Sequence, residues 1–444
     1  MTTTHGGTQP PGGSSLEHRL ATLRRLRAPQ VADFTAQINE LVVLVSSSRS
    51  GSSMLTALLR ESVDLLHLRG EFNPFLKLAG LAYPVANDSD RLDPAHWHAL
   101  SPARRRVLDE ELVLDAGHPA DQVDDGQYLL DAAWRLTVQW PALDLDPGFV
   151  VEAGRRALER VRHMHGWSPG ELRDVDCFHG ELLSDLSRAG YAIDPRHYRM
   201  WASSTQPPPT GAPGQTIIEE PPFMTVRPWH IATEHDCTTK PLVLHTPSNN
   251  YRLGFLPAMF PNARMRIIYL TRNPAASING LFDGWRHPGF YIHRMTEPLC
   301  IGDYTDARPA DRWWWKFDLP PGWQHYTDAS LMSVCAFQWR SAHQAALTAL
   351  DGGAIDHIQL RYEDLISSSQ SRIRSLTRLS QWLGIPLTGR FALAVQAGLP
   401  PVVSTAPPSP RRWHKRATMI HHVLDPDILH IANRLGYGSP TDWL

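Results

Sequence analysis

Residues 41–53, Leu-Val-Val-Leu-Val-Ser-Ser-Ser-Arg-Ser-Gly-Ser-Ser, constrain this chain more than any other stretch, because an apolar run of strand length passes directly into a Ser/Gly loop. The residues that follow, Met-Leu-Thr-Ala-Leu-Leu-Arg-Glu, have helical spacing, so the segment reads as strand, loop and helix. At such a helix start the backbone N–H groups from about Ser50 to Ser53 have no intrahelical partner, and the macrodipole adds roughly half a positive charge. An anion belongs there. Aligned on the G-x-x-x-x-G-K-[ST] phosphate loop, Gly51 and Ser53 fit, whereas Ser46 replaces the first glycine and Ser52 the lysine. The loop can cradle a phosphate but lacks the lysine that grips a nucleoside triphosphate. Arg49 brings a permanently charged donor fork into the loop instead. The plainer alternative is a Ser-rich turn that only caps its helix.

The chain has 444 residues and 42% hydrophobic content, enough for a sizeable core and for two or three domains by length. Lys and Arg total 43 against 45 Asp and Glu, so nothing argues for bulk binding to nucleic acid or an anionic membrane, and any anion site must be local. Four widely spaced cysteines without a C-x-x-C pair fit reduced thiols in a cytoplasmic protein better than a disulfide framework or a metal site. Residues 1–15 read as a disordered tail rather than a signal peptide, and no run approaches the length of a membrane anchor.

Strands are expected at Leu41–Val45, Val63–Leu68, Pro241–Leu244, Met265–Thr271 and Ile355–Leu360. Helices are expected over 16–40, from Tyr251 to Met259 and from Gln370 to Leu383. Alternation of this kind implies an α/β fold, a phosphate-loop-type parallel sheet flanked by helices, with ligands at the carboxyl ends of its strands. Between 83 and 234 the pattern changes to amphipathic helices, including Pro102–Leu114 and Gly154–His165, broken by Pro/Gly/Asp turns. This stretch reads as a large, mainly helical cap inserted between core segments 16–82 and 235–444, with Pro207–Pro213 as an exposed loop or lid edge.

The strand before 271 ends in Thr271-Arg272-Asn273-Pro274 and not in the acidic residue that a magnesium-dependent NTPase needs. An arginine there, beside a helix start carrying Ser277 and Asn279, suits a second phosphate. Ser47–Ser53, Arg272-Asn273-Pro274, Arg361-Tyr362-Glu363-Asp364-Leu365 and Trp413-His414-Lys415-Arg416, in that order, resemble the signatures of sulfotransferases that use 3'-phosphoadenosine 5'-phosphosulfate (PAPS). The resemblance covers roughly 41–80 and 240–444. It implies that Arg49, Ser50, Gly51, Ser52 and Ser53 hold the 5'-phosphosulfate and Arg272 the 3'-phosphate. Tyr362 would touch adenine, and Arg411, Arg412 and Lys415 would close over the 3'-phosphate. Where the family usually carries a serine, eight residues after the strand-end arginine, this chain has Gly280, so either Ser277 takes that role or the 3'-phosphate is held more by Arg272 and the basic C-terminal segment.

Sulfuryl transfer to a hydroxyl needs a base and a positive charge on the leaving oxygen. Gly70-Glu71 resembles the Gly-Glu of protein-tyrosine sulfotransferases, which makes Glu71 the first candidate for the base. His245 stands where many relatives have a lysine, so it is expected as charge stabiliser or acid, with the exchange of roles between Glu71 and His245 as the rival assignment. Arg49 would share the stabilisation. The aromatic-rich stretch Trp285–Tyr326 reads equally as packing or as the lining of an acceptor pocket. The implied acceptor is a hydroxyl of a carbohydrate or small natural product, in a protein that the sequence leaves free to form a homo-oligomer. The alternatives are a phosphate-loop kinase or NTPase, and a nucleotide-binding interaction protein without catalysis.

Overall fold

The computed structural model describes residues 15–193, 217–220, 226–398, 402, 405, 411–438 and 443. The first fourteen residues of the expected tail and the Pro207–Pro213 loop lie outside them. Nine strands form among the described residues: β1 (Glu40–Val45), β2 (Leu66–Leu68), β3 (Ala116–Pro119), β4 (Trp229–Ile231), β5 (Leu242–His245), β6 (Arg264–Thr271), β7 (Tyr291–Arg294), β8 (Trp314–Lys316) and β9 (Asp356–Arg361). Seven make one sheet in the order β4-β3-β2-β5-β1-β6-β9, and β7 and β8 pair separately. The pairs β2–β5, β5–β1, β1–β6 and β6–β9 are parallel, while β3 and β4 extend the edge antiparallel.

The apolar run in β1 follows from its central place. Leu41, Val43 and Val45 face one hydrophobic core and Val42 and Leu44 the other, each fully or almost fully buried, as expected of a parallel strand covered on both faces. The second core is closed by the helices Ser52–Leu59 and Ser369–Leu383 through Leu55, Leu58, Leu376 and Leu379. Because β2, β5, β1, β6 and β9 run the same way, their carboxyl ends bring residues 69–71, 245–246, 46–51, 272 and 362 to one rim. The crevice opens where the chain order reverses around β1.

The segment 83–234, expected as a cap, is built into the same body. It contributes β3 and β4 to the sheet, and its helices Pro102–Asp115, Asp125–Gln139, Pro147–His165 and Val175–Arg188 share the first core with Leu20, Val43 and Ile267. Buried ion pairs seal the join: Arg27 Nε lies 2.8 Å from Asp131, and Arg69 Nη2 lies 2.5 Å from the other oxygen of the same carboxylate.

Three expected elements are shorter. The helix expected over 16–40 divides into Leu16–Arg27 and Phe34–Gln37, with Ala28 in the left-handed region and Pro29 ending the first, and Glu40 already belongs to β1. The second strand begins at Leu66 rather than Val63, because Ser62 Oγ accepts from Asp64 N at 3.3 Å and turns the chain there. The expected helix 251–259 divides into a 3-10 turn, Pro247–Tyr251, and a short helix, Leu256–Met259, with Gly254 and Pro257 interrupting the pattern. No helix among the described residues is long and apolar enough to cross a membrane.

Candidate active site

The loop after β1 turns back on itself through two residues in the left-handed region, Arg49 (φ 66°) and Gly51 (φ 94°). A side chain at 51 would collide with the Tyr362 ring, so only glycine permits that approach. No side chain caps the helix Ser52–Leu59. The serines are engaged elsewhere: Ser47 Oγ and Ser50 Oγ are 2.6 Å apart, Ser48 donates to Asp318 Oδ1 at 2.5 Å, and Ser50 Oγ lies 3.3 Å from Ser277 Oγ. The turn is therefore not a capping box, and no side-chain cap takes the amides at its helix start.

Arg49 is half-buried, its guanidinium carbon 5.1 Å from the Phe290 ring centre. Burial first, then the charge of Arg272, brings its pKa down to about 10, with Asp283 opposing, so it is still charged at neutral pH. Arg272 donates from Nη1 to the Arg49 carbonyl at 3.1 Å and lies 4.4 Å from the Tyr362 ring centre. Two guanidinium groups and one aromatic ring thus frame the loop. Next in the chain, Asn273 caps the helix Pro274–Arg286, and its N–H and Nδ2 both donate to Glu363 Oε1, at 2.9 and 2.8 Å. Tyr437 holds the other oxygen of Glu363 at 2.8 Å.

That helix explains two departures noted in the sequence. A Cβ at Gly280 would lie 3.3 Å from Arg49 Cβ, so the missing side chain leaves space for the loop arginine. Ser277, one turn earlier, is the hydroxyl that meets Ser50. The helix also receives the basic C-terminal segment: Arg412 reaches Asp283 at 2.7 Å, and Arg416 reaches Asp283 at 2.9 Å and Asn279 Oδ1 at 2.6 Å. Arg411 and Lys415 are exposed. The structure therefore brings Arg412 to the loop together with Arg416, which sequence reasoning left out although it belongs to the same Trp-His-Lys-Arg run.

On the other side of β1, Glu71 and His245 line a cavity of about 240 Å³ that also reaches Ser53 in the first turn of the loop helix. Glu71 Oε2 accepts from Thr246 Oγ1 at 3.2 Å. Burial raises the Glu71 pKa from 4.5 to about 7. The Thr246 hydrogen bond, Arg252 and Lys77 oppose the shift, while Glu219 adds to it. A carboxyl with a pKa near neutrality, open to a cavity, can take a proton from a bound hydroxyl. His245 differs. It is buried at the end of β5, and burial with the charge of Arg60 depresses its pKa to about 3. The imidazole is neutral at physiological pH, so the cationic role expected of His245 does not fit its surroundings, and a pKa that low makes it a weak base.

Most of the aromatic stretch is core. Trp285 stands edge-on to Tyr304 and Trp315 at 4.8 and 5.2 Å, with all three rings buried, and it donates from Nε1 to Gln338. Only Phe290 reaches the loop, under Arg49. Two residues that touch the Glu71 cavity, Arg60 and Lys77, carried no sequence signal, since Arg60 directly follows, and Lys77 lies within, a helix whose pattern is apolar. Thr246 was adjacent to His245 and would have been found by asking what could hydrogen-bond to the carboxyl.

No family model matches the chain, and no curated protein matches it. Among solved structures, the sulfotransferase domain of the curacin biosynthetic pathway is 12% identical, with coverage of 91% of this chain and 99% of that one at a TM-score of 0.38. The sulfotransferase domain of the Synechococcus PCC 7002 olefin synthase is 14% identical, with coverage of 91% and 96% at 0.38. A sulfotransferase from Mycobacterium avium is 12% identical, with coverage of 94% and 81% at 0.36. Similarity at this level leaves the chemistry of the site to its own residues.

Proposed function

We propose that this protein is a sulfotransferase that moves a sulfuryl group from PAPS to a hydroxyl of a carbohydrate or small natural product. One observation carries the reading: Ser53 of the phosphate-type loop and Glu71, a carboxyl with a pKa near 7, open onto the same cavity. The donor set suits a nucleotide with phosphates at both ends of its ribose. The uncapped helix start and Arg49 would take the 5' end. Arg272, Ser277 and Arg412 would take the 3'-phosphate, and the close approach of Gly51 to Tyr362 fits a ring placed near adenine.

In this reading the acceptor hydroxyl gives its proton to Glu71 as its oxygen bonds to sulfur. The bond from sulfur to the bridging oxygen breaks, and its electron pair leaves on the 5'-phosphate of 3'-phosphoadenosine 5'-phosphate (PAP). Arg49 and the amides of the loop helix offset the charge that grows on that oxygen. Thr246 keeps the Glu71 carboxyl aimed. His245, held neutral, acts as a wall and hydrogen-bonding group rather than a charge.

The test is thermal unfolding with nucleotides. PAP should raise Tm without magnesium, and ATP with magnesium should do so far less. The opposite ranking would return the protein to the kinase or NTPase alternative.

A further inference from the structure

Most charges that face the Glu71 cavity are matched within the protein. Arg69 lies 3.5 Å from Asp115 and 2.5 Å from Asp131, Glu219 pairs with Arg135 at 2.7 Å, and Glu220 accepts from Phe290 N at 2.6 Å. Lys77 donates to the carbonyls of Ile217 and Ile292 at 2.9 and 2.8 Å. Two arginines are different. Arg60 Nη2 donates to the carbonyls of Leu68 and Gly70, at 2.8 and 3.3 Å, but its Nε is buried without a partner. Arg227, at the cavity mouth, has no hydrogen bond or ion pair among the described residues. Neither guanidinium has a carboxylate within ion-pair distance among those residues. Burial is the main cause that draws the Arg60 pKa down to about 10. Asp115 opposes it, and the charge of Arg227 adds to it, so the two cations repel each other across the cavity.

Arg60 is half-buried and Arg227 exposed; a partly buried guanidinium without a counter-ion is left with unused donors, and its planar fork matches an oxyanion. Arg60 is also set apart from the phosphate cradle. Arg60 follows the last residue of the loop helix, seven residues beyond Ser53, which is roughly 10 Å along the axis. The nucleotide end of the site therefore does not account for it. Glu71 and the apolar side chains of Pro74, Ile217, Ile218 and Trp229 line the same cavity.

Resting on the sulfotransferase reading, we infer that the acceptor is itself anionic: a hydroxyl compound whose carboxylate or other oxyanion is bound by Arg60 and Arg227 while its hydroxyl meets Glu71. A volume of about 240 Å³ is below the usual range for drug-sized ligands, which fits a small molecule or one end of a larger one.

Calorimetric titration of the full chain, with and without PAP, tests this using hydroxy acids, uronic acids and sugar phosphates, each beside its neutral amide or unphosphorylated counterpart. The charged probes should bind at least 10-fold more tightly than their counterparts. Arg227→Ala, at an exposed position, should weaken them by about 10-fold to 100-fold, and Arg60→Met should do the same if it folds, as judged by circular dichroism. Equal binding of charged and neutral probes, no binding of any charged probe, or unchanged binding by Arg227→Ala would overturn the inference. If PAP fails to bind while oxyanions still bind in an arginine-dependent way, the sulfotransferase reading falls and the anion subsite stands.

Discussion

Replacing Glu71 with Gln separates the two effects that burial has on this carboxyl. The folded pKa of about 7 stands above the ordinary 4.5, so between these values the folded protein keeps a proton that the unfolded chain has released. Stability is therefore greatest below pH 4.5, falls as pH rises through the window, and is lowest above pH 7. The step from 4.5 to about 7, at 1.36 kcal/mol per tenfold change in proton affinity, sets the loss at roughly 3 kcal/mol, an upper figure because the side chain is partly open to the cavity. Gln has the shape of the neutral acid, keeps an oxygen for Thr246 Oγ1, and never ionises. Glu71→Gln should thus gain about 1 kcal/mol or less at pH 5 and about 2–3 kcal/mol at pH 8, read by urea unfolding of the tryptophan fluorescence. In the same variant kcat should fall by about 100-fold to 10,000-fold, and the limb of the kcat/KM profile near pH 7 should disappear. A gain of equal size at both pH values, or none at pH 8, would refute burial as the source of the shift. Near-normal turnover would refute Glu71 as the base.

Gly51→Ala would add left-handed strain of about 1–2 kcal/mol and crowding against Tyr362 of about 1–3 kcal/mol, so unfolding should show a loss of about 2–5 kcal/mol. A loss below about 1 kcal/mol would mean that the loop relaxes freely. Arg272→Ala should weaken PAP binding by about 2 kcal/mol, near 30-fold by calorimetry, and an unchanged affinity would remove it from the nucleotide site. Because His245 is held neutral, His245→Asn should leave the position of the pH-rate limb where it was. Loss of that limb in His245→Asn but not in Glu71→Gln would exchange their roles. Gly280→Ser would press on Arg49 Cβ at 3.3 Å and should lower PAP affinity roughly fivefold, the equivalent of about 1 kcal/mol of crowding. Improved affinity would show that the serine position is simply vacant.

The parallel sheet was legible because its strands are buried on both faces and so appear as unbroken apolar runs, as β1 does. The edge strands were not. Ala116–Pro119 and Trp229–Ile231 are short, carry Gly, Pro and His, and form only because β2 offers an unpaired edge to the first of them. The candidate site was legible where a residue type carries its own chemistry, as with the loop serines, Gly51 and Arg272. Electrostatic state was not, because it is set by neighbours distant in sequence. His245 is neutral through burial and Arg60, and Glu71 titrates near neutrality through burial beside a cavity whose walls come from eight separate stretches of chain. The pairing of Arg416 with Asn279 and Asp283 likewise spans more than 130 residues and leaves no local pattern.

Tyr362 has a consequence that extends past its own contacts. One face of the chain's geometry around it is the backbone of Gly51, and the guanidinium of Arg272 rests at the same ring. The ring is thus a shared bearing for the two groups proposed to bind the nucleotide's phosphates, so a force on either is felt by the other. Energies measured at the two groups should not sum: loss of one phosphate from a ligand, or of one arginine from the protein, should change what the other is worth. Truncating the ring should dissolve that dependence and leave two independent sites.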